Sequence, residues 1–174
     1  MEILVFSDSH GKTEGMRRAL RAQIKRPDLI LHLGDGAGDL EYLSMRQIPS
    51  VSVRGNCDWF TVATHLAEER CFEEMGYKIF MTHGHRYGVK SGVRELLTRA
   101  VELGADIVLF GHTHQPYEET IPAGTVVCGV TLEHPLYLFN PGSIGRMETR
   151  NGLSFGTITL TKNGILSSHG TVEI

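Results

Sequence analysis

His112 and His114 stand one residue apart behind the apolar run Asp106-Ile107-Val108-Leu109-Phe110, separated from it only by Gly111. Imidazole is the commonest metal ligand among side chains, and two histidines so spaced on extended chain project the same way. Two residues of strand rise put their Cα atoms about 7 Å apart, which suits two neighbouring ions better than one. A polar loop solvated by water explains such a pair equally well when it is taken alone. Its meaning changes because each earlier buried-strand pattern also stops on residues able to bind metal. Asp8 and His10 follow Ile3–Phe6, Asp35 follows Leu29–Leu33, Asn56 follows Ser50–Arg54, and His83 follows Tyr77–Met81.

Carboxylate, imidazole and carboxamide oxygen form a mixed oxygen and nitrogen set without thiolate, which suits borderline-hard divalent ions: manganese first, and also nickel, iron or zinc. Seven ligands are too many for one such ion and about right for two that share a carboxylate. Asp35 is the expected bridge, because a glycine and a buried strand directly precede it and let the backbone approach the ions. Two ions roughly 3.5 to 4 Å apart form the geometry of dinuclear phosphoester hydrolysis. Four positive charges against the two of Asp8 and Asp35 leave an excess that attracts hydroxide or phosphate. The remaining polar motifs read more simply. Asp8-x-His10 by itself is a surface turn, and Gly34-Asp35-Gly36-Ala37-Gly38 lacks the third glycine of a dinucleotide loop, since Asp39 falls there. His32, inside a strand, reads as a core or sheet-face residue, and His65, His134 and His169 as solvated.

The elements that must position these groups alternate at first. Ile3–Phe6 reads as a strand buried on both faces, and Met16, Leu20 and Ile24 mark an amphipathic helix that Pro27 closes. Leu29–Leu33 is a second strand, Leu40–Gln47 a second helix and Ser50–Arg54 a third strand. Then come a hairpin of Arg70–Glu73 and Tyr77–Met81 across Met75-Gly76, a helix over Gly92–Leu103 and the Asp106–Phe110 strand. Extended segments over Thr125–Val130 and Leu136–Phe139 precede a final hairpin turning at Asn163-Gly164. This order predicts an α/β protein of two packed sheets with helices outside, in one domain over 1–174. Polar groups at strand ends fit the rule that open α/β sheets bind ligands there.

With 174 residues, a net charge of -3 and a pI near 6.3, the chain has no basic face, so no specific nucleic-acid partner is indicated. Three cysteines (Cys57, Cys71 and Cys128) give neither a disulfide framework nor a zinc motif, so reduced thiols in the cytoplasm are expected. Met1 leads straight into a strand without a basic leader or long apolar span, which predicts no membrane segment.

The ordered motifs Asp8-x-His10, Gly34-Asp35, Gly55-Asn56, His83-Gly84 and Gly111-His112-x-His114 resemble those of the calcineurin-like metallophosphoesterases. Gly55-Asn56-Cys57-Asp58 and Thr82-His83-Gly84-His85 are similar to the small bacterial and archaeal phosphodiesterases of that superfamily. The resemblance runs from Ile3 to about Ser143 and implies a four-layer αββα sandwich of two mixed sheets. It implies that Asp8, His10, Asp35 and His114 hold one metal, while Asp35, Asn56, His83 and His112 hold the other. It further implies a small phosphodiester substrate attacked in line by a hydroxide bridging the two ions. Asn56, Cys57, Asp58 and His85 are then the residues expected beside the reacting group. Many relatives carry a histidine where Cys57 stands, so proton delivery to the leaving oxygen is open among Cys57, Asp58 and His85. A segment over Pro122–Pro135, longer than in small relatives, reads as an extra hairpin that either shapes the cleft or makes a contact in a dimer or tetramer. Two other functions fit the same resemblance: a phosphomonoesterase or protein phosphatase, and a non-catalytic scaffold similar to the retromer subunit of this fold.

Overall fold

The computed structural model describes residues 1–42, 47–59, 62–146 and 152–173. The chain forms β1 (Glu2–Phe6), α1 (Glu14–Arg21), β2 (Leu29–His32), β3 (Ser50–Ser52), β4 (Glu69–Glu74), β5 (Tyr77–Thr82) and α2 (Arg94–Leu103). It continues with β6 (Ile107–Leu109), β7 (Pro116–Ile121), β8 (Val126–Val127), β9 (Val130–Thr131), β10 (Leu136–Pro141), β11 (Leu153–Thr161) and β12 (Gly164–Val172). One five-stranded sheet runs β12-β11-β1-β2-β3 and a second β4-β5-β6-β10-β7, while β8 and β9 pair separately. Both large sheets are mixed. In the first, β1, β2 and β3 are parallel and β11 runs antiparallel to β1. In the second, β5, β6 and β10 are parallel, with β4 and β7 antiparallel at the edges.

Alternation along the strands sorts the core into layers, because successive side chains point to opposite faces. Ile3, Val5, Leu29 and Leu31 of the first sheet meet Ile79, Met81, Ile107 and Leu109 of the second in one buried cluster between the sheets. Leu4, Phe6 and Ile30 face outward onto Met16 and Ala19 of α1. Phe80, Val108 and Phe110 face the other way onto Leu96 and Ala100 of α2. The order is therefore helix, sheet, sheet, helix, and every central strand must be apolar on both sides. Each such side chain contributes about 1.5 to 3 kcal/mol on burial, which explains the unbroken apolar runs.

Several boundaries differ from the sequence expectation. The first helix stops at Arg21, and Ile24 is fully exposed rather than on the buried stripe. Ile24 lies beyond the end of the helix, so the four-residue spacing that placed it on the helical stripe does not carry it to the sheet. The second helical stretch begins earlier, as a 3-10 turn over Ala37–Tyr42, and its expected continuation over 43–46 lies outside the described residues. Thr125–Val130 is not one extended run. It is broken by a turn at Cys128-Gly129, both at positive φ, so that β8 and β9 form a small hairpin inside 122–135. In the last hairpin Thr161 pairs with Gly164, which puts Lys162 and Asn163 in the turn. His65 and His134 are exposed, but His169 is half-buried, its ring stacked 4.4 Å from Phe139 and its Nε2 donating to the Asn140 carbonyl at 2.8 Å. No helix among the described residues is long and apolar enough to cross a membrane.

Candidate metal centre

Parallel pairing aligns the C-terminal ends of β1 with β2, and of β5 with β6, so the polar residues behind them emerge at one edge of the sandwich. Backbone bonds hold the emerging loops to one another: the Asp8 amide to Gly34 O (3.0 Å), the His10 amide to Asp35 O (2.9 Å) and the Gly111 amide to His83 O (3.1 Å). Asp8, His10, Asp35, His112 and His114 all have left-handed backbone, five of the seven non-glycine residues so placed among those described. The αL conformation of a non-glycine residue costs energy and concentrates at functional sites. His112 and His114 therefore do not continue β6 as extended chain, contrary to the expectation from their spacing. Their φ values of 67° and 60° curl the loop instead.

Two groupings result. One ligand atom from each of Asp8, His10 and His114 falls within 4.8 Å of the others, and the same holds for Asp35, His83 and His112. Each grouping draws on both sheets, and the curled loop sends its two histidines into different ones. Asp35 also lies within that range of His10 and Cys57, which places its carboxylate next to both sets. Close approach is possible only because Gly55 and Gly111 lack side chains. A Cβ on Gly55 would lie 2.2 Å from Asp35 Oδ1, and one on Gly111 would lie 2.0 Å from Ser7 Oγ and 2.9 Å from Asp8 Oδ2.

The donor set fits a divalent cation. Asp8 is fully buried, and its Oδ2 accepts from Ser7 Oγ (2.5 Å) and the His112 amide (3.1 Å). Its Oδ1 has no hydrogen-bond partner, yet faces Nε2 of His114, His10 and His83 at 3.1, 3.8 and 3.9 Å. A buried carboxylate oxygen left unbonded among imidazole nitrogens is costly unless a cation joins them. His83 Nδ1 donates to the Leu33 carbonyl at 2.7 Å, which leaves Nε2 as the electron-pair donor, 3.4 Å from Asp35 Oδ2 and 3.2 Å from His112 Nδ1. An imidazole oriented through its second nitrogen is the usual support of a metal ligand.

The electrostatics are those of a shared anionic pocket. Burial opposes charge on Asp8, but the adjacent His114 and His83 and the Ser7 hydroxyl outweigh it, so its carboxyl lies below the ordinary range. Asp35 is likewise held ionised against burial, by His83 and by the Cys57 amide. Burial also opposes charge on His83, yet Asp35 and Asp8 raise it. Burial and His83 push His112 down to about 4, and burial lowers His10 despite Asp8 and Asp35.

The remaining expected residues are placed as follows. Asn56 is exposed, and its Nδ2 donates to Cys57 Sγ at 3.3 Å. Cys57 is exposed, its amide donates to Asp35 Oδ1 at 2.7 Å, and its thiol is pushed up to about 11 by burial and by Asp35. Asp58 is buried and accepts the amides of Asp35, Gly36 and Gly55 at 2.9, 2.8 and 2.8 Å, so its carboxylate is a loop anchor rather than a proton donor. His85 stands on the rim with its ring centroid 6.2 Å from that of His112 and its Nε2 3.9 Å from Glu68. Burial and His83 lower its pKa.

Sequence reasoning missed the residues that hold the ligands. Buried His32 accepts the Gly34 amide at Nδ1 (3.2 Å), so its neutral ring donates from Nε2 to Ser9 Oγ (3.0 Å). Ser9 in turn donates to Asp39 Oδ2 (2.6 Å), which also accepts the Gly11 amide (2.8 Å). This chain locks the Asp8-Ser9-His10 loop to the Gly34-Asp35 loop. Asn140 donates to the Gly111 carbonyl and Thr113 Oγ1, both at 3.0 Å, and Ser143 Oγ donates to the Asp8 carbonyl at 3.0 Å. The signal for these two was Asn140-Pro141-Gly142-Ser143, a polar turn behind an apolar strand.

The model of the calcineurin-like phosphoesterase superfamily domain matches residues 1–163. The probable metallophosphoesterase YsnB of Bacillus subtilis (strain 168) is 31% identical over 160 residues, covering 92% of this chain and 85% of the relative. A crystal structure from Streptococcus pneumoniae TIGR4, a conserved uncharacterized protein predicted to be a phosphoesterase, superposes with a TM-score of 0.73 at 26% identity, over 98% of this chain and 88% of that one. Zinc-complexed wild-type Vps29 of Entamoeba histolytica superposes with a TM-score of 0.70 at 19% identity, over 98% of each chain, a likeness of fold.

Proposed function

The chain belongs to the calcineurin-like phosphoesterase superfamily, and from that premise we propose that it is a phosphodiesterase working with two divalent metal ions, manganese foremost. The observation that carries this reading is the unbonded Asp8 Oδ1 among three imidazole nitrogens, beside a second grouping of Asp35, His83 and His112. Asp8, His10, Asp35 and His114 would hold one ion; Asp35, Asn56, His83 and His112 would hold the other. When bound, such ions supply hydroxide at neutral pH and offset the charge that builds on phosphoryl oxygens.

The chain's own residues do the rest. His83, fixed through Leu33, keeps its Nε2 turned to the site, and Asp58 keeps the amides of Asp35, Gly36 and Gly55 in place. Arg54 and Arg86 are both tied to Glu68, so neither is released to clamp a phosphate. Exposed Arg146 follows the Ile144 and Gly145 amides that bond Ser7 O and Asp8 O. One such cation suits a monoanionic diester better than a dianionic monoester. A thiol pushed up to about 11 is a weak proton donor at Cys57, which favours diesters with good leaving groups. Three free, exposed cysteines support a reducing cytoplasm.

The test uses metal-free protein reloaded with a single ion and given an aryl phosphodiester, an alkyl phosphodiester and an aryl monoester in parallel. Chelator-sensitive cleavage, fastest on the aryl diester, is expected. Faster monoester cleavage would reverse the substrate assignment, and no cleavage by metal-loaded protein would leave a binding scaffold.

A further inference from the structure

We propose that Trp59 selects the substrate, its indole stacking the nucleobase of a nucleoside phosphodiester whose phosphate lies at the metal centre. The inference rests on the phosphodiesterase reading above and deepens it by naming a substrate class. Trp59 is 53% exposed, whereas Phe6, Phe80, Phe110, Phe139 and Phe155 are all buried. A single exposed aromatic is ordinary by itself, but here its posture and its place both point to a ligand. Arg54 lies against the ring with its Cζ 4.2 Å from the centroid, a cation–π contact. Arg54 is itself fixed, donating to the Thr64 carbonyl at 2.8 Å and to the Glu68 carboxylate at 3.1 Å. The indole is thus seated on a cation held at two points and is set before a ligand arrives, which limits the freedom lost on stacking.

Its place is the rim of the metal centre. Trp59 directly follows Asp58, whose carboxylate accepts the amides of Asp35, Gly36 and Gly55. On its other side the Arg54 contact continues through Glu68 to His85, whose Nε2 is 3.9 Å from that carboxylate and whose ring centroid is 6.2 Å from that of His112. The indole therefore stands between two sets of contacts that end on the candidate ligands Asp35 and His112. The same rim carries charge that suits a phosphate ester. Arg54 and Arg86 both bond Glu68, and two guanidiniums on one carboxylate leave one positive charge in excess. Every base has a π face, so a stacking platform of this kind should favour nucleoside esters as a class and discriminate little among bases.

Trp59 is the only tryptophan of the chain, so its fluorescence reports stacking without turnover. Zinc-loaded full-length protein is titrated with adenosine monophosphate and with ribose phosphate, which carries a phosphate and no base, under excitation beyond nucleotide absorption. Hydrolysis is followed on two diesters with one leaving group, thymidine para-nitrophenyl phosphate and methyl para-nitrophenyl phosphate, in wild type, Trp59→Ala and Trp59→Phe. Saturable quenching by the nucleotide and not by ribose phosphate is expected. The ratio of kcat/KM for the nucleoside ester over the methyl ester should fall about 5- to 150-fold in Trp59→Ala and be largely kept in Trp59→Phe. An equal loss on both esters in Trp59→Ala would make the ring a support of the Asp58 turn and overturn the proposal. Cleavage of both esters without quenching would also overturn it and leave the phosphodiesterase standing. Quenching with neither ester cleaved would keep the nucleobase site and sink the phosphodiesterase reading.

Discussion

Five candidate metal ligands on left-handed backbone mean that the loops, and not an ion, hold these side chains in position. Asp35 matters most among them, since its carboxylate neighbours both groupings. Asp35→Asn keeps the shape and removes the charge, and should lower bound metal and hydrolysis by more than the roughly 10- to 100-fold of an outer-shell change. Near-normal metal content with near-normal turnover would refute this. The supporting chain has its own signature in acid. His32 is wholly buried and neutral, pushed down to about 4 by burial against an ordinary value near 6.5. Its folded-state value is depressed, so between about 6.5 and 4 the unfolded chain binds the proton and the folded one does not; stability therefore falls as pH falls through that window. The loss is on the order of 3 kcal/mol. His32→Gln retains a donor to Ser9 and removes the titration, so urea unfolding of metal-free protein should show a shallower decline from pH 7 to pH 4.5 in the variant. The candidate ligands that the fold groups together could be picked out in the sequence because each follows an apolar run. The Ser9, His32 and Asp39 chain could not, because its members are dispersed and only the fold makes them neighbours.

At the scale of elements, continuous apolar runs located the central strands, and the errors cluster where spacing was read too rigidly. Met16 is fully buried against the outer face of the first sheet, whereas Ile24 has drifted off the helix and into solvent. Met16→Ala should cost about 2 to 5 kcal/mol, while Ile24→Ser should stay within about 0.5 kcal/mol. Chemical denaturation of the two variants compares them directly; a large cost at Ile24 would mean that the pocket beside Ile3, Gln23 and Pro27 closes over it. The curl of the His112 and His114 loop was also beyond periodicity. It depends on Asn140 reaching from β10 to the Gly111 carbonyl, a contact across 29 residues of chain.

For the molecule as a whole, each ligand grouping takes residues from both sheets, so a bound ion ties the sheets together at one edge. Ligand binding to the folded state at 100 times its dissociation constant adds about 2.7 kcal/mol. For a chain of this size that corresponds to a rise of about 5 to 10 °C in Tm. Calorimetry with and without chelator should show the difference, and superposable transitions would mean that the ions do not link the sheets. The two-sheet architecture itself was legible from the switch between alternating strand–helix units and strand-rich sequence. The pairing of β1 with β11 was not, since nothing local marks strands so far apart as neighbours.

That pairing sets a timetable for synthesis. β1 lies inside its sheet between β2 and β11, and the Met1 amino group bonds the Leu160 carbonyl across 159 positions. At about 5 to 20 residues per second, translation leaves one edge of β1 without its partner for roughly 10 to 30 s. The Ile144 and Gly145 amides that bond Ser7 and Asp8 arrive almost as late. Nascent chains stalled ahead of Leu153 should therefore leave β1 open to protease whether or not metal is supplied.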